Sequence, residues 1–365
     1  MINAAMSTPG STPSAAVHLH EYLMLSMMGR ESVPKEGIRG ADPAALVDLC
    51  RAHRVAGIAH QGATRLRPRY DSALAGLRQA AHKTLVDNLV LLKALKETAA
   101  ILRAEKIDFV LLKGASLLEL LYPEIQLRPM TDIDFLIHKG SWPRLAAALR
   151  AKGFGMPSKE EETFYRETWY HQLVRSPWSV STNLEFHWNL ESVERSRIDP
   201  EDLFRRAVPC DLDGESFKRL GDEDLLIHLS VHLAHHYQSP ALIWVEDLRR
   251  LLNRGSFDWE RISETAKAWG VQNCLAYSFG YVDRAFPGTL PGPARRFQFS
   301  PLRRTLLGRV QTDNPALPHA PVRGIKRHVV SMLLLDSWWD VARYIAVHAR
   351  GRAARAVGLG RRAPA

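Results

Sequence analysis

The chain has 365 residues, of which 46% are hydrophobic, so it is long enough to bury a sizeable core in about two or three domains. Its three cysteines (Cys50, Cys210 and Cys274) are widely spaced, which argues against a disulfide framework or a zinc site and fits a reducing cytoplasm. The net charge is +10, but residues 294–365 contain fourteen Lys or Arg and only three Asp, which leaves −1 for the rest of the chain. A long polyanion is therefore not expected to bind outside the basic C-terminal segment.

The N-terminal part is predicted to be helical after a short tail. Residues 1–16 are small and polar without a basic segment before an apolar core, which is typical of a disordered tail rather than a signal peptide. Residues 17–106 have mostly helical spacing, with a helix start at Asp42-Pro43 and a helix over 82–106 that we expect to pack on a sheet. No run of 18 apolar residues is present, so no membrane-spanning segment is predicted.

The most informative segment follows, with the sequence IDFVLLKGASLLELLYPEIQLRPMTDIDFLI at residues 107–137. Residues 107–112 form a short apolar run that predicts a buried strand, and Lys113–Ser116 predicts a turn. Helical spacing then runs from Ser116 to Tyr122. Because a small-residue turn before a helix N-terminus presents backbone N–H groups, the pattern predicts a phosphate site here.

A second strand with paired carboxylates is predicted at the end of this segment. Thr131–Ile137 alternates in polarity, so Asp132 and Asp134 fall on one face while Ile133 and Phe135 fall on the other. Two carboxylates on one strand face repel each other unless a cation lies between them, and Mg²⁺ prefers such oxygen ligands. The pair therefore predicts a divalent metal site.

The order strand, Lys-Gly-Ala-Ser, helix and strand with Asp-x-Asp resembles the nucleotidyltransferase superfamily that includes DNA polymerase beta. More narrowly, the motifs at 111–114 and 132–136, together with Arg128, are similar to those of an uncharacterised bacterial nucleotidyltransferase family. The usual superfamily turn is Gly-Ser or Gly-Gly, so Gly114-Ala115-Ser116 departs from it by one inserted residue, as in the bacterial branch. The resemblance extends over about residues 80–285. It implies an α+β fold with a small mixed sheet, flanking helices, and helical N- and C-terminal regions.

The resemblance also implies a third carboxylate on a neighbouring strand. Residues 180–190, VSTNLEFHWNL, alternate as in a half-buried strand, and Leu-Glu-Phe-His-Trp is similar to a downstream element of the family. Glu185 is therefore assigned as the third acid. His187 shares its face and has two interpretations: it contacts a phosphate, a metal or the acceptor, or it is a hydrogen-bonded sheet histidine.

The resemblance implies nucleotidyl transfer from a nucleoside triphosphate (NTP) substrate to a hydroxyl-bearing acceptor, with two Mg²⁺ or Mn²⁺ ions as cofactors. Asp132, Asp134 and Glu185 are then both the catalytic residues and the metal ligands. The expected nucleotide-binding residues are Lys113, Gly114, Ser116, Arg128 and His187. We expect the acceptor to be a small molecule, a sugar or a peptide, because no nucleic-acid-binding module is recognisable. The alternative is a catalytically inactive protein that retains the fold to bind a nucleotide or a partner.

The sequence divides into further predicted regions after residue 106. Residues 107–220 are expected to form the nucleotidyltransferase core, 221–293 a helical domain, and 294–365 a basic helix and tail. In the helical domain, four histidines lie close together on one helix and are interpreted as a helix–helix contact, as cleft-lining residues or, less favoured, as a metal cluster: His228, His232, His235 and His236. Asp247 is interpreted as a packing or capping residue, with a role at the cleft as the alternative.

The C-terminal segment allows two interpretations. Residues 328–347 are apolar, contain Trp338-Trp339 and precede a series of arginines. A basic amphipathic helix of this kind can make peripheral contact with an anionic membrane. We favour the alternative, in which the helix packs on the protein and only the tail is solvated.

Overall fold

The apolar periodicities of the chain produce a mixed α+β fold, which is described by a computed structural model over residues 23–29, 42–66, 71–177, 182–237, 241–310 and 325–356. The tail predicted at 1–16 and the last part of the basic segment predicted at 294–365 lie outside these residues. The N-terminal region is helical as expected. Its helices are α1 (residues 23–27), α2 (Pro43–Ala52), α3 (Ala56–Arg65) and α4 (Asp71–Ala104). Asp42 caps α2 by accepting a hydrogen bond from the Ala44 amide at 2.9 Å.

Within the described residues, the sheet has six strands in the order β3-β4-β2-β1-β6-β5. Their bounds are β1 Phe109–Leu112, β2 Asp132–Ile137, β3 His171–Arg175, β4 Asn183–His187, β5 Val208–Leu212 and β6 Glu215–Arg219. The sheet is mixed, because β2 pairs antiparallel with β1 but parallel with β4. The three predicted strands of the segment from 107 to 190 therefore lie next to one another at its centre.

Helices cover both faces of the sheet and continue to the C-terminal side. They are α5 Lys113–Leu121, α6 Trp142–Ala151, α7 Lys159–Thr168, α8 Pro200–Arg206, α9 Asp222–His235, α10 Leu242–Arg254, α11 Trp259–Trp269, α12 Gln272–Ala285, α13 Pro301–Val310, α14 Ile325–Leu334 and α15 Trp338–Ala356. Within the described parts of the chain, no helix has both the length and the apolar character that crossing a membrane requires.

The two faces of β2 belong to two different cores, as its alternation predicts. Phe135 stacks on Phe186 of β4 at 5.3 Å between ring centroids, and both pack near Trp142 of α6. Leu136 packs instead into a core that contains α9, α10 and the N-terminal helices. Because side chains alternate along a strand, the face of Leu136 is also the face of Asp134. The carboxylates therefore point toward the helical regions.

Two elements differ from the predictions. The turn at Lys113–Ser116 is absent, because the chain passes from strand to helix at Lys113, whose φ is +43°, and α5 begins there. The helix predicted over 328–347 is divided into α14 and α15. α14 buries Val330, Leu333 and Leu334 in the main core, whereas Trp338 and Trp339 are exposed at the start of α15.

Candidate active site

The three predicted acids lie on adjacent parallel strands. Asp134 of β2 is paired in register with Glu185 of β4, and Asp132 is paired with Asn183 one pleat repeat earlier. Asp134 is almost completely buried, at 1% exposed, while Asp132 and Glu185 are partly exposed. Strands β2 and β4 therefore present carboxylates to the same region, at the boundary between the sheet and the helical part.

Lys113 is the cation closest to these acids. Its Nζ lies 2.5 Å from Oδ1 of Asp134 and 3.6 Å from Oε2 of Glu185. Burial alone would lower the pKa of Lys113, but the charges of Asp134, Glu185 and Asp132 raise it above its usual value. The same contact, against the opposing effect of burial, holds the pKa of Asp134 well below its usual range. Lys113 and Asp134 are therefore a buried ion pair.

His187 bridges the same two carboxylates. Its Nε2 lies 2.8 Å from Oδ1 of Asp134 and 3.3 Å from Oε2 of Glu185. Burial and Lys113 act to lower the pKa of His187, but these two hydrogen bonds raise it overall. The ring of His171 on β3 lies 4.8 Å from that of His187, and one ligand atom each from His171, Glu185 and His187 lies within 4.8 Å of the others. His187 is thus a hydrogen-bonded sheet histidine whose location is beside the acids.

Asp132 completes the group without a cation of its own. Among the described residues it forms no ion pair, and its contact to another side chain is with Oγ1 of Thr131 at 3.3 Å. Burial and the neighbouring Asp134 raise the pKa of Asp132 to about 6. Three carboxylates thus face one lysine and one histidine. This surplus of negative charge, made of oxygen donors, fits a hard divalent cation such as Mg²⁺ or Mn²⁺.

The glycine after Lys113 is required by the close approach of Arg128. A Cβ at Gly114 would lie 2.5 Å from Nη1 of Arg128. The Arg128 guanidinium donates to both carboxylate oxygens of Asp247, at 2.8 and 3.3 Å, and the hydroxyl of Tyr122 donates to Asp247 at 2.5 Å. Asp247 is fully buried, so it serves the packing role that its sequence context suggests. Arg128 is engaged by Asp247 and not by the three acids.

Ser116 and the helix start occupy the position predicted for phosphate binding. The Ser116 hydroxyl donates to the carbonyl oxygen of Lys113 at 2.9 Å within the first turn of α5. Among the residues that the structure describes, no side-chain cap bonds to the amide groups at this end of the helix. The backbone N–H groups of the first turn are therefore the phosphate donors that α5 offers next to Asp134.

The three histidines of α9 and His236, the residue that follows the helix, have different surroundings. His235 bonds to Glu191 through Nδ1, and His232 and His236 lie against Trp244. His228 is buried, neither ring nitrogen has a partner within the part of the chain that is described, and burial and nearby Lys113 lower its pKa to about 3. The histidines therefore have different contacts: one bonds to a carboxylate, two lie against a tryptophan, and one is buried without a partner among the described residues. A single metal centre formed by all four does not follow from this arrangement.

Sequence reasoning missed two residues at this site, His171 and Arg54. His171 opens β3 and pairs in register with His187, so an alternating strand beginning with histidine was the signal that could have identified it. Arg54 lies in the turn after α2, and Asp132 is among the charges that affect its pKa. No local pattern marks Arg54, because its proximity to Asp132 arises from tertiary packing across about eighty positions of the chain.

The chain is similar to a known protein family and, weakly, to a solved structure. No curated protein matches the chain. The crystal structure of an antigenic nucleotidyltransferase-like protein from Paracoccidioides brasiliensis shows a weak likeness, with 15% sequence identity and a TM-score of 0.27 over 47% of this chain and 75% of that chain. The profile of the family described as "Uncharacterised nucleotidyltransferase" matches residues 39–287, a span that contains the whole sheet and the acids. This chain therefore belongs to the uncharacterised nucleotidyltransferase family.

Proposed function

We propose that this protein is a metal-dependent nucleotidyltransferase that moves a nucleoside monophosphate from an NTP to a hydroxyl group. The observation that carries the proposal is the in-register pairing of Asp134 with Glu185 on parallel strands, with Asp132 on the same face. Acids at these positions converge from two strands on one region, which is the arrangement that binding a polyphosphate and its cation requires. Membership of the family gives the reaction class.

The residues that would hold the cation are Asp132, Asp134 and Glu185. A pair of Mg²⁺ or Mn²⁺ ions bound there would neutralise the negative charge that develops on the entering and leaving oxygens. The raised pKa of Asp132 supports this assignment, because burial and the charge of Asp134 both disfavour its carboxylate form and the neighbouring cations do not offset them.

The protein's own groups have separate tasks in the proposed reaction. The bond between the acceptor oxygen and the α-phosphorus forms while the bond from the α-phosphorus to the bridging oxygen breaks, and pyrophosphate leaves. Glu185 orients the acceptor hydroxyl and takes its proton, and His187 keeps Glu185 in place through its 3.3 Å contact. Lys113 and the free amide groups of α5 bind the phosphate oxygens. Most of the rate gain would come from positioning and charge stabilisation.

The acceptor is proposed to be a small molecule, a sugar or a peptide. The excess of basic residues in the sequence belongs to residues 294–365, whereas the remainder of the chain has a net charge of −1. A duplex or a long single strand would need a basic surface next to the acids.

Nucleotidyl transfer from labelled NTPs is the test of this proposal. Wild type should transfer label from one of four α-³²P NTPs, with Mg²⁺ or Mn²⁺, to an acceptor in a fractionated cell extract, and it should release pyrophosphate. Asp134→Asn should lower the rate by about 10²-fold or more, because a carboxylate that would hold the cation is lost. Asp87→Asn, on the exposed side of α4, is the matched control and should retain full activity. Equal rates in wild type and Asp134→Asn would contradict the proposal.

A second candidate is an inactive nucleotide-binding protein that keeps the fold. The specific observation in its favour is the contact of Lys113 with Asp134 at 2.5 Å, because an ammonium group already occupies a carboxylate that a metal would need. Calorimetry separates the two candidates. Nucleotide binding that is unaffected by removal of Mg²⁺ and by Asp132→Asn would support the inactive protein, whereas strict dependence on both would support the enzyme.

A further inference from the structure

Arg54 has an unusual place at the end of α2. The amide of Val55 donates to the carbonyl of Cys50 at 2.9 Å and the amide of Arg54 donates to that of Arg51 at 3.0 Å. This pair of bonds closes a helix around a left-handed residue, a position that is usually glycine. Arg54 has a φ of +60°. The turn itself would favour glycine, so the turn does not explain why an arginine side chain is present.

Tertiary contacts fix this turn beside the acids. The amide of Ile243, at the start of α10, donates to the carbonyl of His53 at 3.2 Å. On the other side, a Cβ at Gly57 would collide with the carbonyl oxygen of Gln126, so α3 packs directly on the segment that leads to Arg128 and Asp132. Arg54 is thus held between α10 and the segment that carries the acids.

The guanidinium of Arg54 has no anionic partner in the described portion of the chain. It makes no hydrogen bond or ion pair with a side chain there, and its Cζ lies 5.9 Å from the ring centroid of Trp244. The residue is only partly exposed, and burial lowers its pKa while Asp132 acts to raise it. A partly buried cation without a partner is costly to the fold, and a bound anion would remove that cost.

Trp244 and two histidine rings lie next to one another beside Arg54, and we call this group the ring cluster: Trp244, His232 and His236. The two histidine rings lie 4.8 and 5.0 Å from Trp244 and 4.4 Å from each other. His236 is exposed and Trp244 is half-buried, so part of the ring cluster is accessible to solvent. Burial lowers the pKa of both histidines, and the charge of Lys113 lowers it further. Because Lys113 is paired with Asp134, the ring cluster lies within electrostatic reach of the acids. Flat aromatic faces beside an unpaired cation suit a ligand with a planar base and phosphates.

We propose that Arg54 and the ring cluster form the binding site for the NTP, with Arg54 on the phosphates next to Asp132 and Trp244 stacked on the base. This inference rests on the proposed function, because it sets the α-phosphate beside the acids. It adds a cation from the N-terminal helices and a stacking surface from α10. The N-terminal region would therefore be part of the active site.

Equilibrium binding tests this site without requiring turnover. Titrations of the full-length protein use each of the four NTPs with Mg²⁺, and inorganic tripolyphosphate as the probe for phosphate alone. Arg54→Gly should weaken the preferred NTP and tripolyphosphate about 10- to 100-fold, as loss of a charge-assisted contact does. Its melting temperature should equal or exceed that of wild type, because glycine suits the left-handed backbone. Arg51→Ala, on the exposed side of α2, is the matched control and should bind as wild type does.

Trp244→Leu tests the stacking half of the site. It should weaken the preferred NTP about 10-fold while leaving tripolyphosphate binding unchanged, and Trp244→Phe should restore most of the affinity. If wild type binds an NTP but Arg54→Gly and Trp244→Leu bind it equally well, the assignment of this site is wrong and the proposed function stands. If wild type binds none of the four NTPs, both the site and the proposed function are overturned.

Discussion

Replacing Lys113 by methionine would show how far the acids depend on its charge. The Lys113–Asp134 pair is 2.5 Å long, with side chains 17% and 2% exposed. Removing one member of such a buried pair leaves the other charge uncompensated and costs about 3–5 kcal/mol. The Lys83–Asp87 pair on α4 is 2.7 Å long but 75% and 48% exposed, so Lys83→Met should cost at most about 1 kcal/mol. The two substitutions remove the same chemical group and differ in burial.

Thermal unfolding with and without Mn²⁺ measures this difference. At about 2 °C per kcal/mol, Lys113→Met should melt roughly 6–10 °C below wild type, and Lys83→Met within about 2 °C of it. Saturating Mn²⁺ should raise the melting temperature of Lys113→Met more than that of wild type, because the ion replaces the missing positive charge among the acids. If Lys113→Met melts as wild type does, or if Mn²⁺ stabilises both proteins equally, the acids are not held together by cationic charge.

Three further predictions concern single features of the structure. Gly114→Ala should lower the free energy of unfolding in denaturant by about 2–4 kcal/mol, since its Cβ would lie 2.5 Å from Nη1 of Arg128. The control Gly140→Ala, whose Cβ would meet nothing within 4 Å, should change this free energy by less than about 0.5 kcal/mol. Equal effects of the two substitutions would refute the packing argument. The Mn²⁺ affinity should be full above about pH 7 and weaken as the pH falls through about 6, because a proton then occupies Asp132; a calorimetric profile that is flat from pH 5 to 7 would contradict this. Removing residues 325–365 should lower the melting temperature or solubility, since α14 packs into the main core, and an unchanged melting point would show that this packing is dispensable.

The strands of the site could be predicted because their signals are local. Alternation along β2 gives the shared face of Asp132 and Asp134, and the same alternation on β4 gives Glu185 and His187. The resemblance supplied the adjacency of the two strands, which periodicity alone does not contain. The structure confirms the predicted fold, a mixed sheet with flanking helices.

The electrostatic partners could not be predicted, because they come from distant parts of the chain. The sequence suggested Arg128 for phosphate binding. In the structure its guanidinium donates to the carboxylate of Asp247 on α10, which is 119 positions later. The strand-to-helix junction at Lys113 was missed for a different reason. A lysine with a φ of +43° is unusual, so a strand that passes directly into a helix at Lys113 was not expected. The small residues up to Ser116 indicated a separate turn instead.

We expect Asp132, Asp134 and Glu185 to bind the cation that accompanies an NTP. A crystal of the wild-type protein grown with Mn²⁺ and a non-hydrolysable NTP analogue tests it directly through the anomalous signal of manganese. We expect manganese peaks within about 2.5 Å of oxygens of these three carboxylates, with the α-phosphate bound to the same ion and Nζ of Lys113 moved away from Asp134 toward the phosphates. A bound nucleotide without manganese at these residues, with Lys113 still paired with Asp134, would contradict it.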